Sequence, residues 1–355
     1  MIRTIIPALM ITVGIANTSC RKQKISDMEM EKNINYPAAY VVNGEDGTLS
    51  VIKLADNTVT ETIELMSNDG SMAMWPHHIY KHQSVDMTHL VVAAPGMDLS
   101  EGHGGAMPGM SGRVLILDAA KGMVVKEFEV PTMNHNAVYS PDGKEIWTSQ
   151  MVDDGKVLVY DAASYSLKTE IHVGKEPAEV TFSADGSKAY VANGGDDNVT
   201  VIDPATKAVI TTIPVGHNPV AAWIGHDGRM YVDNEEGQTV SVISVANDNV
   251  VQTINLGFMP GSVAHNPLKK ELWVTDPDNG KVHYYNWDNS TNSWMHAGAF
   301  NAAPGAHAIA FTSDGDLAYV TNQAFASVSV INVATHSKLK DIPVGKKPNG
   351  ILINY

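Results

Sequence analysis

From Tyr40 onward, apolar and polar residues alternate in short runs rich in Val, Ile, Thr and Tyr, each broken by an Asp-Gly, Asn-Gly or Asn/Asp-rich turn. This period of two, with turns at such spacing, predicts strands rather than helices. The runs come in fours. "EPAEVTFSADGSKAYVANGGDDNVTVIDPATKAVITTIPVG" (176–216) and "NPVAAWIGHDGRMYVDNEEGQTVSVISVANDNVVQTINLG" (218–257) are consecutive copies, and a repeat of about 42 residues lies in the range of propellers and solenoids. Other copies start at Trp75, Met133, Met259 and Pro304. The closing "KKPNGILINY" matches only the first strand of a copy, and "AYVVNGEDGTLSVIKLADNTVTETIEL" near the start only strands two to four. Joined, the two fragments make one blade and remove a pair of unpaired strand edges. The expected fold is all-β: a seven-bladed β-propeller of four-stranded antiparallel blades, closed by a C-terminal strand that completes the first blade.

The segments "AYVTNQAFASVSVINVATHSKLKDIPVG", "AYVANGGDDNVTVIDPATKAVITTIPVG" and "AYVVNGEDGTLSVIK" resemble the repeat proteins named after the Tyr-Val-Thr-Asn motif, which are similar in turn to the propeller domain of cytochrome cd1 nitrite reductase. The resemblance covers nearly all of the chain after Tyr40 and implies the propeller fold. For function it implies less, because such propellers bind cofactors, metals, proteins and small molecules. One implied function is tetrapyrrole or d1-haem handling, with His135 or His307 as axial ligand.

Aligning the copies on "FSADG", "YSPDG", "FTSDG" and "IGHDG" makes one position comparable in all seven, at the start of the innermost strand: His77, His135, Ala178, Val220, Gly261, His307 and Asn349. Imidazoles at equal depth around one axis can aim at a shared point, and neutral imidazole suits copper, zinc and iron. His77, His135 and His307 are therefore the expected core ligands. On the same face, blade two carries a long loop, "PGMDLSEGHGGAMPGMSG" (95–112), with Met97, His103, Met107 and Met110, while "SMAMWPHH" places His78 beside His77. Thioether with imidazole favours Cu(I). The alternative reading of a Met-rich loop is an adaptable lid over a protein partner.

The other histidines, His82, His89, His172, His226, His283, His296 and His336, fall on other faces or strands and read as surface or hydrogen-bonded residues. His217 is on the right face but in a blade off the arc; Glu235 and Glu236 read as solvated charge. The tryptophans, spread among the repeats, read as packing residues. No nucleophile elbow, His-Glu-x-x-His helix or phosphate loop is present, so no catalytic residue is expected.

The formal net charge of −15 and the absence of a basic stripe exclude nucleic acid as an electrostatic partner. A single cysteine, Cys20, excludes an intramolecular disulfide. "MIRTIIPALMITVGIANTSC" has a basic start, a short apolar stretch and small residues before Cys20, the pattern of a lipoprotein signal peptide at 1–20 with Cys20 as the lipidated residue. Asn17 departs from the usual lipobox. A polar segment at 21–38 would act as a flexible tether, and 39–355 form the propeller. The sequence thus points to an exported periplasmic or cell-surface lipoprotein, monomeric and held to the membrane only by its lipid. It would bind a metal, with copper the expected ion, for delivery, storage or sensing, and exchange it with another exported protein. The alternatives are a non-enzymatic protein- or ligand-binding scaffold, and tetrapyrrole handling.

Overall fold

Seven sheets, each of four antiparallel strands, form the ring of a β-propeller. The computed structural model describes residues 31–67, 70–82, 89–100 and 110–355, all within one unit, Glu31–Tyr355. Blade one joins Pro348–Asn354 as innermost strand to Ala38–Asn43, Thr48–Lys53 and Thr58–Glu64. Blades two to seven follow in chain order, with innermost strands Ile79–Lys81, Ala137–Tyr139, Pro177–Phe182, Pro219–Ile224, Val263–Asn266 and Ala306–Phe311. The expected closure is therefore present: Ala38 pairs with Asn354 and Tyr40 with Leu352. The described residues contain no α-helix, only the short 3-10 turns Gly194–Asp196 and Gln323–Phe325.

The repeat motif explains how the blades hold together. Three of its tyrosines, Tyr40, Tyr190 and Tyr319, are buried, and each hydroxyl donates to the outer turn of the next blade: to Ala119 O, Asp248 Oδ1 and Asn57 Oδ1 respectively, whereas Tyr231 of blade five donates to Asp227 of its own blade. Blades three and six carry Trp147 and Trp273 there. Their indole N–H groups donate to Glu145 and Glu271, and these carboxylates pair with Lys207 and His336 in the outer turn of the following blade. Asn57, Lys207, Asp248 and His336 all have positive φ, so one turn geometry presents the partner group at four of these five junctions, Ala119 being the exception. A buried bond of this kind contributes about 1 kcal/mol.

The motif's asparagines act within a blade. Asn43, Asn193, Asn234 and Asn322 are buried, and each Nδ2 donates to two side-chain oxygens of the third strand or its start: Thr48 and Ser50, Asn198 and Thr200, Thr239 and Ser241, Ser327 and Ser329. They brace the loops between strands two and three, which rim one mouth of the channel. Residues 31–37 form no strand. They dock on blades one and two through Lys32 N to Lys121 O (2.7 Å), Ile34 N to Ala120 O (2.8 Å) and the buried Ile34 side chain. The expected signal segment, Cys20 and the first part of the tether lie outside the described residues.

Candidate metal centre

Four blades approach their innermost strand by the same local device, a residue at positive φ followed by proline: Trp75-Pro76, Glu176-Pro177, Asn218-Pro219 and Lys347-Pro348. The next residue in each is the aligned position. In blade two this is His77, held between neighbouring backbones by its own N–H to Ala93 O (2.9 Å) and by Gly350 N–H to its carbonyl (3.1 Å). A Cβ on Gly350 would lie 2.8 Å from His77 O and 2.9 Å from His78 Cα, so glycine is what permits this approach.

The structure brings His77, His78 and His135 together. All three are buried, and each can place one ligand nitrogen within 4.8 Å of the others. Ring centroids lie 4.3 Å apart for His77 and His135, 4.4 Å for His77 and His78, and 5.1 Å for His78 and His135. His307 is half-buried at the edge of the group, its ring 5.9 Å from His77 and 6.0 Å from His78. Gly261, the aligned residue of blade six, leaves that edge open, since a Cβ there would come within 3.2 Å of the His307 ring.

Glu179 organises the cluster, and reading the aligned position alone missed it. Fully buried on the innermost strand of blade four, it sets Oε1 2.9 Å from His78 Nε2 and 2.9 Å from His135 Nδ1. Its Oε2 accepts from Tyr80 OH (3.1 Å) and from Asn136 Nδ2 (3.4 Å). Burial acts to keep the proton on Glu179, but the charge of His78 and the hydrogen bonds of both histidines prevail and hold the carboxyl well below its usual range. The signal was one residue downstream: the position after the aligned one reads His78, Asn136 and Glu179 in three successive blades.

With Nε2 of His78 and Nδ1 of His135 facing the carboxylate, their opposite nitrogens are the ones offered to an ion. A metal-binding histidine commonly gives its second nitrogen to a carboxylate in this way. An ion bound at about 2.0–2.1 Å would need its nitrogens roughly 3.3 Å apart, so binding would draw the three rings slightly inward.

The cluster divides two cavities. Above it, a cavity of about 550 Å³ is lined by His77, His307 and Leu99 and by five carboxylates, Glu176, Asp197, Glu235, Glu236 and Asp278. No lysine or arginine is among the described residues of its wall. Glu236 and Asp197 also hold His217 from both sides, at 2.9 and 2.8 Å, so His217 and Glu236, both exposed, meet at the channel mouth. Below, a cavity of about 420 Å³ is lined by Tyr80, Trp223, Val263, Phe311 and others. Trp223 stands edge-on to His78 at 5.7 Å; the spread of tryptophans among the repeats gave no sign of that place.

Met97 and Met110 pack, half-buried, against an apolar cluster of Leu99, Met133, Met151, Ala178 and Val220. Two of those residues, Ala178 and Val220, occupy the aligned position in blades four and five, so the apolar arc of that ring is covered by sulfur-rich packing. His103 and Met107 lie outside the described residues. Of the histidines set aside, His82 bonds Gly143 O (2.8 Å), His172 pairs with Asp154, His336 pairs with Glu271, and His283 meets His296 (3.3 Å).

These features define a seven-bladed β-propeller whose channel carries buried imidazoles around one carboxylate, a group able to hold a metal ion. The family pattern of the choice-of-anchor I domain matches residues 137–279. No curated protein matches the sequence. Among solved structures, the periplasmic gluconolactonase of Pseudomonas aeruginosa is similar at 16% identity and TM-score 0.71, covering 90% of this chain and 99% of that one. Hydrazine synthase of Kuenenia stuttgartiensis is similar at 18% and 0.62, covering 78% and 88%. Dihydro-heme d1 dehydrogenase, solved in complex with DHE, is similar at 15% and 0.59, covering 91% and 79%. At these identities the likeness is one of fold.

Proposed function

We propose that this chain is an exported, lipid-anchored propeller that binds a transition-metal ion, copper, at the His77–His78–His135 cluster, for delivery, storage or sensing. The observation that carries the reading is the convergence of three buried imidazoles, two of them oriented by the ionised Glu179. The acidic upper cavity favours a cation as the species that reaches the cluster, because fields from like charges add in a concave wall. Imidazole suits copper, zinc and iron, and the thioethers of Met97, Met110, Met133 and Met151, packed around Leu99 of the cavity wall, shift the preference toward Cu(I). The implied partner is an exported protein that gives or takes the ion; the protein is a monomer and does not bind nucleic acid.

Tetrapyrrole handling is the second reading, supported by the fold likeness to dihydro-heme d1 dehydrogenase. The carboxylated edge of such a macrocycle would meet the five carboxylates of the upper wall, which opposes it. A scaffold for a protein partner alone leaves the buried cluster without a purpose.

The test is copper and zinc content together with a Cu(I) competition titration, comparing the purified protein with the His77→Ala/His78→Ala/His135→Ala variant. One tightly held ion per chain, lost in the variant, is the expected result. No ion in either protein overturns the reading.

A further inference from the structure

One buried carboxyl behind the innermost strand of blade five takes no part in the cluster. Asp233 lies on the second strand of blade five, Arg229–Asn234, and is 1% exposed. Its Oδ1 accepts from Ala221 N and from the Trp223 indole N–H, both at 3.0 Å. Its Oδ2 is buried with no hydrogen-bond partner. The residues at the same place in the other blades are Val42, Ala93, Ser149, Ala192, Thr275 and Thr321, all uncharged. The three hydroxyls among them are used: Ser149 and Thr321 donate to the carbonyls of Ala178 and Asn349, and Thr275 to Ser262. Asp233 is thus the one ionisable group in that ring, and half of it has nothing to bond.

Its position links it to the cluster. The Trp223 ring that donates to Asp233 also stands edge-on to His78 at 5.7 Å, and Glu235, two residues on, lines the upper cavity. The ionisable groups whose fields reach Asp233 are Glu235 and Glu179, and its own field reaches Tyr80. A carboxylate oxygen buried without a donor is costly. A proton on Oδ2 removes the charge and so lowers that cost, and burial followed by the charges of Glu235 and Glu179 pushes this carboxyl well above the usual range. The core therefore holds two carboxyls pushed in opposite directions, Glu179 toward the ionised form and Asp233, whose Oδ2 has no donor, toward the protonated form. A monovalent ion at the histidines is balanced by Glu179 alone. A divalent ion leaves one positive charge unbalanced in a dry site, where such a charge is expensive.

We propose that Asp233 supplies the balancing charge for a divalent ion, giving up its proton to solvent, so that the channel releases one more proton for a divalent than for a monovalent guest. The inference rests on metal binding at the His77–His78–His135 cluster. It gives the site a means of responding differently to the two charge states of one element.

The experiment is calorimetric titration of the whole protein with Zn²⁺ and separately with Ag⁺, each in buffers of different ionisation enthalpy so that protons released per ion are counted. The comparison is Asp233→Asn, whose amide keeps the Oδ1 acceptor for Ala221 and Trp223 and adds no charge. Protons released by the histidines are common to both proteins and cancel. Expected is one proton more per Zn²⁺ in the wild type than in D233N, with Zn²⁺ bound roughly ten-fold more weakly by the variant. For Ag⁺, proton count and affinity should match between the two. Zn²⁺ uptake with equal proton counts in both proteins overturns the role of Asp233 and leaves the metal site standing. Absence of uptake by the wild type overturns both.

Discussion

Nδ1 of His135 lies 2.9 Å from Oε1 of Glu179, across the junction of blades three and four. The same oxygen meets Nε2 of His78 at 2.9 Å, so one carboxylate orients imidazoles from two different blades. If this pairing prepares the rings for an ion, Glu179→Gln should weaken metal binding by about 10- to 100-fold, the usual effect of losing such an orienting partner. A competition titration measures it; far-UV circular dichroism should stay unchanged. Wild-type affinity in the variant would reduce Glu179 to a packing role.

Gly350 marks where the innermost strand of blade one presses against His77 and His78. A Cβ there would meet His77 O at 2.8 Å, His78 Cα at 2.9 Å and Ile79 N at 3.0 Å, all backbone atoms that cannot rotate away. Gly350→Ala is expected to destabilise by about 1–3 kcal/mol and to displace both histidines. Urea denaturation should show a lower midpoint at unchanged slope, accompanied by loss of bound metal.

Asn193 donates to Asn198 Oδ1 and Thr200 Oγ1, both at 2.8 Å, from a fully buried site. Asn193→Ala should cost about 1–3 kcal/mol, because two acceptors lose their donor inside the blade. Asn43, Asn234 and Asn322 make the matching pairs of bonds, so Ala at each should give a similar loss in the same urea assay. A loss at one site only would show that the motif's asparagine is not a general brace.

Asp185 in the turn of blade four accepts from Ser183 Oγ (2.6 Å), Ser187 N (3.0 Å) and Ser187 Oγ (2.8 Å). These bonds, led by that of Ser183, hold its carboxyl down at about 2 against an ordinary 3.8. A carboxyl depressed in the folded state stabilises above its unfolded pKa, and the benefit fades as pH falls toward the folded value. The stability gap between the wild type and Asp185→Asn should be constant from pH 7 to about 5 and close as pH approaches 2. Melting temperatures across that range check it, and a gap that widens on acidification would contradict the assignment.

Much of this molecule is written locally. The turns, the alternation within each run and the two end fragments sufficed for seven blades and their closure, because strand and turn preferences depend on neighbours in the chain. The aligned histidines were legible for the same reason, since equal register in each repeat means equal depth in the channel. What register cannot convey is which neighbours around the ring actually touch. His78 entered the compact group in preference to His307 because the innermost strands of blades one and two approach closely at Gly350, while Gly261 leaves space around His307. Nothing in the sequence sets Glu179 and Asp233 apart from the other acidic residues of the strands. Only the burial and contacts that the closed ring imposes separate a carboxyl lowered by two histidines from one raised by desolvation and left with an unpaired oxygen. The sequence by itself determined the blades, their number and the face on which the histidines stand, whereas the tertiary structure decided which side chains meet and what charge each carries, because both depend on distances across a channel that no stretch of the chain contains.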